Sequence, residues 1–248
     1  MHSTIINNLL ILTECGAFGS KPEEGDLSFM SPYKWRQLVA AAEQLKVLPY
    51  VAMASEQLKG CKPLIPAFYD CLSEPERKVV AEPYNVGDVH LFNHWTDKRL
   101  EELKEEEMNS RETSDETLML LDMIVRNAVS MIQKDVDIDG IIALGLYIRQ
   151  YKEKIDYEKL GRWLSRIGLI NMASLMGNML TLCLHIPQED VPLAIKQQPV
   201  AQKLFMNRVV KAFEKHHCSN AARLNNAFVE TVSHKFVSAI SLVTDIEE

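Results

Sequence analysis

Cysteine is sparse and unpatterned in this chain: Cys15, Cys61, Cys71, Cys183 and Cys218 are odd in number, widely scattered, and form no C-x-x-C pair. That usage argues against a disulfide framework and against a zinc site, and leaves reduced thiols packed as small apolar groups. Glycine and proline are also few, ten of each in 248 residues, which disfavours turn-rich and strand-rich folds. No apolar run approaches the roughly 20 residues that cross a bilayer. Ile5 to Leu12 is broken by Asn7 and Asn8, so the apolar stretch of a signal peptide is missing. The expected compartment is a reducing cytoplasm, without membrane contact. Also absent are a P-loop, a G-x-G-x-x-G turn, a G-x-S-x-G elbow, and any local Ser/His/Asp or Cys/His arrangement. No cofactor and no catalytic residue is expected.

What is present favours helix. With 47% hydrophobic and 25% charged residues the chain can bury a substantial core, and its Met, Leu, Ala, Glu, Lys and Gln content points to an all-α fold. Apolar residues recur at helical spacing from Ile5 to a stop at Gly16. A second helix opens at Ser31-Pro32, as N-cap and first residue, with Trp35, Leu38, Val39, Ala42 and Leu45 on one face. Pro49 begins a short helix ended by Gly60, and Ser73 to Glu76 has capping-box form. Further helices carry Leu118 to Ile132, Ile141 to Ile148, and Leu160 to Ile167, the last capped by Asp156 and closed by Gly168. Met172, Met176 and Met179 line another, and two more run from about Pro199 and Ser219. These read as stacked antiparallel helical hairpins, a bundle or a short solenoid. The domain reading is an N-terminal helical part, 1–108, a polar linker, 109–114, and a C-terminal helical part, 115–248, either separate or packed as one.

Net charge is 27 − 34 = −7, which disfavours nucleic acid as a partner of the whole chain. The charge is uneven. Glu101 to Thr117 holds eight acids against Lys104 and Arg111, whereas Lys196 to Lys235 holds seven basic residues against Glu214 and Glu230. Lys203, Arg208, Lys211 and Lys215 share one side of a C-terminal helix. Such a face either is solvated, docks on the acidic segment, or touches phosphates.

Three local patterns bear on metal or nucleotide binding. Asp135-Val136-Asp137-Ile138-Asp139-Gly140 matches the first half of an EF-hand loop, but Leu146 stands where the bidentate Glu is required. An acidic turn with Asp139 as N-cap is the competing reading. His90 and His94 are four apart on a helix, yet Leu91 occupies the Glu position of H-E-x-x-H. Gly87-Asp88-Val89-His90-Leu91 places a carboxylate and an imidazole two residues apart.

Ile138-Asp139-Gly140-Ile141-Ile142, Leu146-Tyr147-Ile148, Lys154 to Leu160, Gly168-Leu169 and Val191-Pro192-Leu193, together with Trp35 to Pro49, resemble the flanking helices of an uncharacterised bacterial nucleotidyltransferase family over about 120 residues. The resemblance implies a relative whose catalytic module, an α/β unit with an Asp-x-Asp pair holding divalent metal, has been replaced by little more than the acidic segment. In its terms Asp88 stands in the first carboxylate position and His90 in the second, where an imidazole cannot neutralise Mg²⁺ as a carboxylate does. It implies a non-catalytic helical scaffold that binds another protein or itself. The Met-rich helix reads either as core packing, the commoner use, or as an adaptable apolar surface. The alternative is residual nucleotide or divalent-metal binding by a degenerate transferase, through Asp88 and His90 or the Asp135 to Asp139 turn.

Overall fold

A computed structural model describes residues 3–22, 26–57, 91, 94–110, 113–194 and 197–214. Among them are nine α-helices and no strand, so the fold is all-α. The helices are α1 (Ser3–Phe18), α2 (Pro32–Gln44), α3 (Leu48–Gln57), α4 (His94–Met108), α5 (Asp115–Gln133), α6 (Ile138–Tyr151), α7 (Tyr157–Arg166), α8 (Ile170–Cys183) and α9 (Val200–Glu214). No helix among the described residues is long and apolar enough to cross a membrane.

The N-terminal helices are fixed by one close approach. Gly16 lies inside α1, where its missing Cβ admits the backbone of α3: a side chain there would run into the Tyr50 carbonyl. The reading of Gly16 as a helix stop is thereby corrected. The left-handed position belongs to Gly19, at φ 70°, beyond Phe18. The following loop is tied back by Asn8, which is fully buried: its Nδ2 donates to the Ser28 carbonyl (2.7 Å) and its Oδ1 accepts from the Ser28 N–H (3.0 Å). Ser31 caps α2 with Pro32 at its first turn, as expected. A tight turn through Lys46, itself left-handed at φ 61°, leads into α3.

Four of the remaining helices surround α8. It packs against α5, α6, α7 and α9, while α9 also reaches α2 and α6 reaches α1. Buried residues from all of these join one hydrophobic cluster, shared by helices on both sides of the 109–114 connection. Met172, Met176 and Met179 are fully buried in α8. A helix apolar all round belongs in an interior, so of the two readings of these methionines core packing holds, and the adaptable surface does not. Gly177 serves the same centre, since a Cβ there would lie 2.7 Å from the Ala194 backbone nitrogen. Asp156 caps α7, accepting from the Lys159 N–H at 2.8 Å, and Gly168 follows that helix at φ 73°.

The acidic segment is divided between two helices. Residues 101–108 complete α4, and α5 begins at Asp115. α4 turns Thr96, Leu100, Leu103 and Glu107 inward, one face at helical spacing. Gly60, the Ser73 to Glu76 box, and the helix expected from Ser219 lie outside the described residues.

Candidate functional site

The aspartate turn follows α5 and starts α6. Val136 and Ile138 are buried between the acids, and this anchors the turn on the core. Asp135 is held on both oxygens: Oδ1 accepts from the Val136 N–H at 2.9 Å, and Oδ2 pairs with Lys211 Nζ at 3.0 Å. Asp137, not Asp139, is the N-cap of α6. The reason is local: Asp137 keeps extended backbone angles, while Asp139 already lies in the first helical turn. Asp139 accepts from the Tyr50 hydroxyl at 3.4 Å. Burial, then the nearby Asp137 charge, raises its carboxyl above the ordinary range despite that bond and Lys46. Asp135 and Asp139 thus have separate partners in α9 and α3. Among the described residues no group of three or more His, Cys, Asp or Glu side chains is placed to hold a metal ion.

The basic side of α9 is not a uniform solvated face. Lys203 is exposed, but Arg208 donates to the Gln44 carbonyl at the end of α2 (3.3 Å) and Lys211 pairs with Asp135. These two fasten α9 to its neighbours rather than to α4, so docking on the acidic segment is not their arrangement. Lys215 lies outside the described residues, as do Asp88 and His90. His94 is exposed at the start of α4, its ring 6.2 Å from that of Trp95.

The acidic helix finds its cations in α7 and gives one of its own to α5. Glu106 meets Arg166 through two bonds of 2.5 and 2.9 Å, and these hold its carboxyl below the usual range. Glu107 Oε1, nearly buried, accepts from Lys159 Nζ at 2.5 Å and from the Ser114 N–H at 3.0 Å. Lys104 pairs with Asp122 of α5 at 2.6 Å. Ser114 and Thr117 hydroxyls share a bond of 2.5 Å, and Thr117 Oγ1 accepts from the Asp156 N–H at 3.0 Å. The end of α4 and the starts of α5 and α7 therefore meet in one satisfied polar node, where loss of a partner would strand a buried charge. Sequence reasoning missed this seam. Its only advance signal is charge: α4 carries six acids and three basic residues, and α7 one acid and three basic residues.

Exposed aromatic side chains form the other feature absent from the sequence reading. Phe29 is 83% exposed and Tyr33 is 56% exposed, four residues apart across the Ser31-Pro32 cap. Trp95 is 69% exposed on α4. Aromatic residues are enriched in the cores of protein interfaces, and Phe29 is left mostly exposed.

The two cysteines among the described residues are free and buried. Burial pushes the Cys183 thiol up to about 12, which suppresses the thiolate and its reactivity. Compared with protein-family models, with curated proteins and with solved structures, the chain matches none.

Proposed function

We propose that the chain is a non-catalytic helical scaffold that engages another protein, or a second copy of itself, through the surface around Phe29 and Tyr33. The observation that carries this is the exposure of two large aromatic rings at one rigid helix start. Phe29 precedes the Ser31 cap and Tyr33 follows it, while Met30 between them is fully buried and fixes the backbone. The patch is thus pre-organised, and ordering it costs little entropy on association. Descent from a nucleotidyltransferase scaffold is proposed on the residue pattern alone.

The test is a comparison of the full chain with Phe29→Ser/Tyr33→Ser. Sedimentation velocity over a hundredfold concentration range reads self-association, and quantitative capture from native lysate reads other partners. The expected result is an association present in the parent chain and reduced at least tenfold in the variant, with unchanged melting. Equal behaviour of the two chains in both assays would overturn the proposal.

A further inference from the structure

Two outward helix stripes carry complementary residues at the same spacing. On α2 the stripe runs Tyr33, Arg36, Ala40, Glu43, and on α4 it runs Lys98, Glu101, Glu105, Met108. The steps are three, four and three residues in both, so each stripe keeps to one side of its helix and spans about 15 Å. Tyr33 is 56% and Met108 68% exposed, and Arg36, Glu43, Lys98, Glu101 and Glu105 are exposed as well. Among the described residues Arg36, Glu43, Glu101 and Glu105 make no side-chain ion pair, and Lys98 makes only the solvent-open one with Glu102 at 3.6 Å. The core faces of the two helices are elsewhere: α2 buries Leu38, Ala41 and Ala42, and α4 buries Thr96, Leu100, Leu103 and Glu107. Both stripes therefore stand open while each helix keeps its seat. Laid antiparallel, they bring Tyr33 opposite Met108, Arg36 opposite Glu105, the small Ala40 opposite Glu101, and Glu43 opposite Lys98. The parallel alternative keeps one opposite-charge pair, Arg36 with Glu101, and sets Glu43 against Met108. The antiparallel register also places the positive start of α2 beside the negative end of α4.

We propose that the partner at the Phe29–Tyr33 surface is a second copy of this chain, which lays the outer stripe of its α4 antiparallel along α2. A methionine against a tyrosine ring is a favourable sulfur–aromatic contact, and opposite charges at two places select this register over its neighbours. The contact is heterologous: α2 of one copy meets α4 of the next, and every copy offers both stripes. Exposed ion pairs contribute little each and are screened by salt, so the association is weak and falls as salt is added. This rests on the reading of the chain as one that associates through Phe29 and Tyr33. A chain that is monomeric by itself, yet loses other partners in Phe29→Ser/Tyr33→Ser, would keep that reading and overturn this one.

Charge exchange between copies tests it. Sedimentation velocity of the full chain at low salt, over a hundredfold concentration range, is expected to show self-association. Arg36→Glu and Glu105→Arg are each expected to weaken it at least fivefold, because like charges then face one another in every contact. An equimolar mixture of the two variants is expected to recover the parent's association, since each supplies the stripe that the other needs. Both positions are exposed, so helical content and melting are expected to stay at the parent's values in each variant. A parent chain that is monomeric throughout would overturn the proposal. So would a Glu105→Arg chain that associates like the parent, or a mixture no stronger than its two components.

Discussion

Gly16→Ala and Gly161→Ala are the same substitution inside two helices and should change stability in opposite directions. In a helix interior, alanine is favoured over glycine by about 1 kcal/mol, through reduced backbone entropy in the unfolded chain. At Gly161, in the middle of α7, a Cβ meets nothing within 4 Å, so most of that gain is expected to survive. At Gly16 the Cβ would meet the Tyr50 carbonyl, with the Tyr50 Cα only 2.9 Å away. The obstacle is backbone, and no change of rotamer relieves it. α1 and α3 must separate, and a gap of about 0.5–1 Å forfeits roughly a quarter to a half of each dispersion contact along the interface. Overpacking typically costs about 1–3 kcal/mol and occasionally more. A backbone obstacle lies at the upper end, giving a net loss of about 2–3 kcal/mol after the helix gain. For a chain of this size each kcal/mol moves the midpoint by about 2–4 °C. Thermal unfolding followed by circular dichroism should therefore show Gly16→Ala falling by roughly 4–12 °C and Gly161→Ala rising by about 1–4 °C. A Gly16→Ala chain at or above the parent's midpoint would refute the close approach of α1 and α3.

The remaining expectations concern titration and reactivity. Asp139 has its pKa raised in the folded chain, first by burial, so folding disfavours its charged form. Its ionisation thus lowers stability above the folded pKa, and the effect disappears below the unfolded value. Asp139→Asn should accordingly stabilise at pH 7 and become neutral near pH 3 in urea titrations. Destabilisation at pH 7 would mean that attraction of the carboxylate to the α6 N-terminus outweighs desolvation. Cys183, buried with a thiol pushed up to about 12, should resist a maleimide at pH 7.5 in the native chain and react fully in denaturant, as read by peptide mass spectrometry. Rapid native labelling of Cys183 would contradict its burial.

Chain-local chemistry made much of the fold legible. Ser31-Pro32, Asp156 and Gly168 act within one turn of themselves, so their roles follow from residue type and spacing alone, and the structure places each as read. Gly16 shows where that stops. A glycine that ends a helix and one that admits a neighbouring backbone look alike until the neighbour is known, and here the neighbour is Tyr50, far along the chain. In sequence the Asp135 to Asp139 turn reads as capped by Asp139. The structure starts α6 earlier, with Asp137 in extended backbone and Asp139 already in the first helical turn. Amphipathic periodicity likewise marked a basic side of α9 without showing that Lys211 reaches Asp135 and Arg208 reaches Gln44.

The burial of α8 shapes where function can reside. Its methionines could supply an adaptable surface only if one side of the helix were open, yet α5, α6, α7 and α9 all pack against it, and Met172, Met176 and Met179 have no exposed area. Recruiting them would mean opening the core, at a cost close to that of unfolding the helices around them. α4 is seated as firmly: its inward face buries Thr96, Leu100, Leu103 and Glu107, and its charges pair with Lys159, Arg166 and Asp122. The aspartate turn is locked differently, through Lys211 and Tyr50, so freeing its acids would loosen α9 and α3 together. Contact with other molecules therefore falls to side chains outside these packed features, such as Phe29 and Tyr33.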